Sequence, residues 1–154
     1  MANYTGTIGA DNLTGTYAGD TFDLIQGGSD TAKGGLGGDT FFMGAFLDAT
    51  DKLEGGGGND IVYMDGDYSA GLLLGATTLT DIEGIYFMPG DDYTLALRDQ
   101  NNTQAFAFGI YGQSLIAGDV LTFDGSREVN QPFAIYDGGG DDVLTGAGAT
   151  TSST

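Results

Sequence analysis

Aspartates recur at short, regular intervals in the first part of this chain, mostly behind glycines. Asp11, Asp20, Asp30, Asp39, Asp51 and Asp60 follow one another at intervals of 9, 10, 9, 12 and 9 residues, and Asp142 sits in a similar setting near the end. Two residues after each comes an apolar or small residue: Leu13, Phe22, Ala32, Phe41, Leu53, Val62 and Leu144. A carboxylate supplies hard oxygen donors, and a glycine turn supplies carbonyl oxygens at φ angles other residues avoid. The chemistry open to such a set is coordination of a hard cation. A shell of six to eight oxygens suits Ca²⁺, whereas Mg²⁺ demands tight octahedral geometry and keeps its waters. Other site chemistry is poorly provided for. The chain has no His and no Cys, which removes the commonest general base, the commonest zinc ligand and any thiolate.

The intervals belong to a repeated nonapeptide. Residues 34–42 read Gly-Gly-Leu-Gly-Gly-Asp-Thr-Phe-Phe and residues 55–63 read Gly-Gly-Gly-Gly-Asn-Asp-Ile-Val-Tyr. Both fit G-G-x-G-x-D-x-U-x, where U is a large apolar residue. Residues 6–14, 15–23 and 137–145 are looser copies; 25–33 keeps Gly28 and Asp30, and 46–54 keeps Asp51 without a turn glycine. The copy starting at Gly146 puts Thr151 where the aspartate belongs. In these residues the chain resembles the calcium-binding β-roll of the repeats-in-toxin (RTX) family.

The resemblance implies an all-β, right-handed parallel β-roll or β-solenoid with Ca²⁺ bound in the Gly-Asp turns. Each nonapeptide divides into a six-residue turn and a three-residue strand whose U side chain points inward. Two nonapeptides make one coil, so each turn lies over the next but one. One edge then stacks Asp11, Asp30 and Asp51, and the other stacks Asp20, Asp39 and Asp60. The candidate metal ligands are Gly9, Asp11, Gly19, Asp20, Gly28, Asp30, Gly35, Gly37, Asp39, Asp51, Gly56, Gly58, Asp60, Asp124, Gly138, Gly140 and Asp142. The best sites are expected between Asp39 and Asp60 and between Asp20 and Asp39. Asp142 is expected to pair with a turn of the middle segment, around Asp124.

The elements that must hold these turns extend along the whole chain. Residues 64–136 lack clear nonapeptides but alternate apolar and polar residues with the period of a strand: Tyr93, Leu95 and Leu97; Phe106, Phe108 and Ile110; Leu121 and Phe123; Phe133 and Ile135. Turn residues separate these runs, as at Gly90-Asp91-Asp92 and Gln100-Asn101-Asn102. No segment shows a capped helical period. We therefore read residues 1–154 as one solenoid, with N-terminal repeats over 6–63, degenerate coils over 64–136 and C-terminal repeats over 137–154.

Composition narrows the partners. The net charge is −18, from 4 basic and 22 acidic residues, and Gly supplies 29 of 154 positions. A hydrophobic fraction of 40% is too apolar for a solvated disordered chain. Lys33, Lys52, Arg98 and Arg127 form no cluster, which argues against nucleic acid and anionic membrane surfaces. No apolar run reaches the ~20 residues of a membrane span. Stacked carboxylates repel one another until a counterion enters, so the sequence predicts folding coupled to Ca²⁺.

The resemblance further implies secretion by the type I route to the extracellular space or cell surface, consistent with an N-terminus that shows no cleavable signal peptide. The function expected is that of a structural module, not an enzyme, with head-to-tail self-association into a filament or surface layer as one form. The alternatives are a folding and secretion module of a larger RTX exoprotein, and an adhesin or ice-binding solenoid. Asp81 and Glu83 read as strand polarity or neighbours of a cation rather than as an acid–base pair.

Overall fold

The computed structural model describes residues 1–98, 107–128, 132–146 and 150–151. Among these the chain forms strands, turns and bends and no helix. The strands in chain order are β1 (Asn3–Thr5), β2 (Asn12–Thr14), β3 (Thr21–Asp23), β4 (Thr31–Leu36), β5 (Thr40–Phe42), β6 (Lys52–Gly57), β7 (Ile61–Met64) and β8 (Tyr68–Leu73). They continue as β9 (Leu79–Thr80), β10 (Gly84–Phe87), β11 (Tyr93–Ala96), β12 (Phe108–Tyr111), β13 (Leu121–Gly125), β14 (Phe133–Tyr136), β15 (Val143–Gly146) and β16 (Thr150–Thr151).

These strands wind into a parallel β-solenoid. One wall is a long sheet ordered β1-β3-β5-β7-β10-β12-β14-β16. The other wall is built in two parts, a first short sheet β2-β4-β6-β9 and a second short sheet β8-β11-β13-β15. Every strand pairing is parallel. The changeover falls within one coil, where β7 is followed by the strand that opens the second short sheet and then by the strand that closes the first.

Register along the long sheet runs Asn3, Thr21, Thr40, Ile61, Gly84, Gly109, Ala134 and Thr150. Successive coils therefore hold 18, 19, 21, 23, 25 and 25 residues before a last step of 16. The early steps are those of two nonapeptides. The later ones are too long for that unit, which is why no clean repeat is visible in residues 64–136. Strand alternation survives there because the wall still has one dry face. Tyr93, Leu95, Leu97, Phe108, Ile110, Leu121, Phe123, Phe133 and Ile135 are all buried. Phe106 and the Gln100-Asn101-Asn102 turn lie outside the described residues. Thr151, aligned with the turn aspartates in sequence, instead pairs with Ile135 as part of a strand.

The core is a set of side-chain ranks running along the solenoid axis. In one, Tyr4, Phe22 and Phe41 stack with ring centroids 4.9 and 4.8 Å apart, and Val62, Ile85, Ile110 and Ile135 continue the line. A spacing close to the ~4.8 Å between neighbouring strands lets each ring rest on the next. Phe22 is fully buried between two rings. Phe22→Ala should cost about 3–5 kcal/mol, measured as a lower denaturant midpoint.

Candidate metal centre

The glycine-aspartate turns occupy the two edges between the walls. Turns 6–11, 24–30 and 43–51 lead from the long sheet to the first short sheet. Segments 15–20, 34–39 and 55–60, the last two beginning within the ends of β4 and β6, lead back. Their aspartates stack as two ladders, because each carboxylate accepts a hydrogen bond from the backbone of the corresponding aspartate one coil earlier. On one edge Asp30 Oδ1 accepts from the Asp11 N–H at 2.9 Å and Asp51 Oδ1 from the Asp30 N–H at 2.8 Å. On the other, Asp39 Oδ1 accepts from the Asp20 N–H at 2.6 Å and Asp60 Oδ1 from the Asp39 N–H at 2.7 Å. Glu83 takes the next rung, its Oε2 accepting from the Asp60 N–H at 2.6 Å. Asp20, Asp30, Asp39, Asp51 and Asp60 are buried.

The second carboxylate oxygen separates the turns into two kinds. Asp11 Oδ2 accepts from the Thr7 N–H at 2.6 Å and from its hydroxyl at 3.1 Å. Asp20 Oδ2 likewise accepts from the Thr16 N–H at 2.6 Å and hydroxyl at 2.8 Å. Asp51 Oδ2 accepts from the Asp48 N–H at 2.8 Å. In turns 34–39 and 55–60 the residue four before the aspartate is glycine, Gly35 or Gly56, and no hydroxyl is available. Asp39 Oδ2 and Asp60 Oδ2 are buried with no hydrogen-bond partner. A buried polar atom left unpaired is costly, and more so when it carries charge.

Peptide carbonyls crowd around these oxygens. A Cβ on Gly34 would lie 2.1 Å from Asp39 Oδ2 and 2.6 Å from the Gly55 carbonyl oxygen. A Cβ on Gly55 would lie 2.0 Å from the Asp81 carbonyl and 2.5 Å from Asp60 Oδ2. Gly35 and Gly56 have φ of 109° and 102°, and a Cβ on either would meet the carbonyl of the coil below, Thr16 or Gly35, at 2.2 Å. The glycines thus let carboxylate and carbonyl oxygens converge where any side chain would intrude. Gly37 and Gly58 are stacked in the same way, with the Gly37 carbonyl 2.1 Å from the Cβ position of Gly58. Gly19 lies over the Gly38 carbonyl and Gly28 over the Gly9 carbonyl. Among the described residues no group of three or more acidic side chains converges on one point.

The C-terminal turn is built differently from the sequence reading. Asp142 Oδ1 accepts from the Leu121 N–H at 2.8 Å, and Gly138 and Gly140 lie over the carbonyls of Gly112 and Asp119. Asp124 lies within β13, where its carboxylate accepts from the Ser126 N–H at 2.9 Å. The turn under Asp142 is therefore 112–120, with buried Asp119 accepting from the N–H groups of Gly90 and Ile116 at 2.9 and 3.0 Å. Asp119 is not a candidate from sequence because its turn, Ala117-Gly118-Asp119, lacks the nonapeptide. Glu83, read from sequence as strand polarity or a cation neighbour, takes its place in the ladder only once the coils are stacked, whereas Thr7 and Thr16 reach their aspartates within one turn, four residues on.

Electrostatics follow the hydrogen bonding. Burial raises the carboxyl pKa of Asp30, Asp39 and Asp51 above the ordinary range, and their backbone hydrogen bonds only partly offset it. Burial raises Asp60 to about 6, opposed by the Asp39 backbone hydrogen bond and reinforced by Glu83, Asp39 and Asp81. At Asp20 burial also opposes ionisation, but hydrogen bonds from the Thr16 hydroxyl and from the Ala2 and Thr16 backbones, with the N-terminal ammonium, outweigh it and lower the pKa.

No family model, curated protein or solved structure matches this chain. The class to which it belongs is therefore given by its architecture, a parallel β-solenoid with stacked glycine-aspartate turns.

A carboxyl whose folded pKa exceeds its unfolded value of about 3.9 contributes most to stability below that value and loses the contribution as pH rises through the folded pKa. For Asp60 the loss is centred near pH 6. Without Ca²⁺, the chain should therefore need a higher concentration of a stabilising osmolyte such as sucrose to regain its strand signal at pH 7.5 than at pH 5. Asp60→Asn, which keeps an acceptor for the Asp39 N–H, should flatten that difference.

Proposed function

We propose that this chain is a calcium-binding structural module whose folding is coupled to Ca²⁺ and which works outside the cell. The observation that carries this reading is the pair of buried, unpartnered carboxylate oxygens on Asp39 and Asp60, the first sharing the space at Gly34 with the Gly55 carbonyl and the second the space at Gly55 with the Asp81 carbonyl. An all-oxygen donor set with two carboxylates suits Ca²⁺ in charge and hardness. Asp39 and Asp60, with carbonyls of the 34–39 and 55–60 turns, would hold the ion. Its charge would offset the repulsion along the ladder and favour the ionised form of carboxyls that burial otherwise holds back.

This reading ranks the turns. The Asp39–Asp60 level comes first. Asp11 and Asp20 come after it, because threonine donors already occupy the oxygen that a cation would use. The Asp142 turn stands with the buried Asp119 rather than with Asp124. Affinity in the range of extracellular modules, roughly 10⁻⁴–10⁻³ M, would leave the chain expanded where Ca²⁺ is scarce and compact where it is plentiful. The likeness of residues 34–42 and 55–63 to the RTX nonapeptide supports both the metal and an extracellular setting reached by the type I route. The absence of His and Cys from the sequence supports a structural rather than a catalytic role.

Circular dichroism during a Ca²⁺ titration tests the coupling. The expected outcome is a cooperative gain of strand signal that chelator reverses; a chelator-treated protein with full strand signal and no change on adding Ca²⁺ would sink the proposal. The double variant Asp39→Asn, Asp60→Asn keeps the ladder acceptors but loses both charges. It should require at least about tenfold more Ca²⁺, which corresponds to about 1.4 kcal/mol. Thr16→Val should weaken Ca²⁺ binding far less.

A further inference from the structure

The outer face of the long sheet carries an aromatic rank that neither the core nor the turns require. Strand alternation sends Phe41 inward, fully buried, and its neighbour Phe42 outward, 39% exposed. In register with Phe42 stand Tyr63, Tyr86, Tyr111 and Tyr136, one per coil. Their rings stack with centroid separations of 5.1, 5.1, 4.2 and 5.5 Å and interplanar angles of 21°, 20°, 13° and 8°. Ring atoms in face contact lie about 3.5–4.0 Å apart. Nearly parallel rings at 5.1–5.5 Å are therefore offset like shingles, each leaving part of a face uncovered.

The rank beside it keeps the surface low. Thr40, Ile61, Gly84, Gly109 and Ala134 occupy it. A Cβ on Gly109 would lie 2.2 Å from the Tyr111 ring, and one on Gly84 would lie 2.7 Å from it. Tyr111 thus lies down over the strands instead of standing off them. Over the five coils from Phe42 to Tyr136 neither rank contains a charged residue, although the chain carries a net charge of −18. Towards the N-terminal coils the same two ranks become polar. Asn3, Thr5, Thr21 and Asp23, with Asp65 and the Phe42 ring, line a cleft of about 430 Å³.

We propose that this face binds a neutral, linear polysaccharide, laid along the solenoid axis over the tyrosine shingles, with one end in the cleft. A pyranose ring has apolar C–H faces, which suit tilted aromatic surfaces, and a rim of hydroxyls, which suit carboxylate, amide and threonine partners. The uncharged ranks fit a neutral ligand. Shape excludes the main competitor, a second copy of the chain. The stripe is about 20 Å long, from the strand spacing, and about 10 Å wide. That is on the order of 200 Å², against about 800 Å² per partner in a stable interface. A single extended polymer chain matches that narrow footprint.

The proposal does not depend on cation binding in the turns, and its test reads a different signal. The chain has no tryptophan, and four of its 8 tyrosines, Tyr63, Tyr86, Tyr111 and Tyr136, lie on the stripe, so a change in tyrosine emission that substitutions there remove reports on it. Cellohexaose, laminarihexaose and maltohexaose would be titrated separately into the whole protein in calcium-containing buffer, with strand content followed by circular dichroism. At least one should saturate the emission change. Tyr63→Ala and Tyr111→Ala should each weaken binding about tenfold. Should either fail to fold, Tyr63→Phe with Tyr111→Phe keeps the stack, and Asp23→Asn alters only the cleft; each should still weaken binding severalfold. The proposal is overturned if none of the three sugars binds at millimolar concentration, or if folded variants bind as the parent does. It is also overturned if the stripe instead mediates dimerisation in sedimentation or adsorption to phosphatidylcholine vesicles, with Tyr111→Ala abolishing either.

Discussion

The hydrogen bond from the main chain of one aspartate to the carboxylate stacked on it one coil later is the constraint on which the coils from Asp11 to Glu83 depend. It sets the stacking of the turns and so the register of the strands that leave them. It also puts carboxylates of like charge into buried rows, with Asp20, Asp39 and Asp60 on one edge and Asp11, Asp30 and Asp51 on the other. Parallel strands alone do not impose this. A solenoid needs only inward apolar ranks and turns of workable length. Using an ionisable acceptor at each corner ties coil stacking to whatever neutralises the corner.

The same arrangement is resolved differently from turn to turn, and one side chain decides it. Where threonine stands four residues before the aspartate, its amide and hydroxyl satisfy the second oxygen. Where glycine stands there, the oxygen is buried and bare. The sequences Gly-Thr and Gly-Gly at the start of a turn therefore describe two electrostatic states of one backbone shape. The first is closed by the protein. The second leaves a buried carboxylate oxygen without a donor.

Much of this was legible in the sequence, for a definite reason. Inward ranks demand period two, and corners of fixed length demand glycine and aspartate at fixed positions, so residues 6–63 disclose both walls and the pairing of Asp39 with Asp60. The later coils hide their corners, because a coil of 23 or 25 residues no longer repeats the nonapeptide. Only alternation remains, as at Tyr93, Leu95 and Leu97. The division of the second wall into two sheets has no signal of its own, since β8 and β9 read alike as short strand-forming runs. Asp124 and Asp119 illustrate the limit. Both stand beside glycine, and only the register shows that Asp119 belongs to the corner and Asp124 to a strand. Tyr63 reads from the sequence as a core aromatic, yet it lies half-buried on the outer face with Tyr86, Tyr111 and Tyr136, because their alignment depends on coil lengths that sequence periodicity does not supply.

The aspartate hydrogen bond also has a direction. Asp60 receives the amide of Asp39, and Asp39 receives the amide of Asp20; along both N-terminal ladders the carboxylate comes from the later coil. Each of these coils is thus finished by its successor. A chain laid down from its N-terminus always carries one corner whose amide awaits the next turn, and removing a carboxylate strands a donor upstream, not downstream. Faults in such a structure travel backwards along the chain, towards coils whose own sequence is intact.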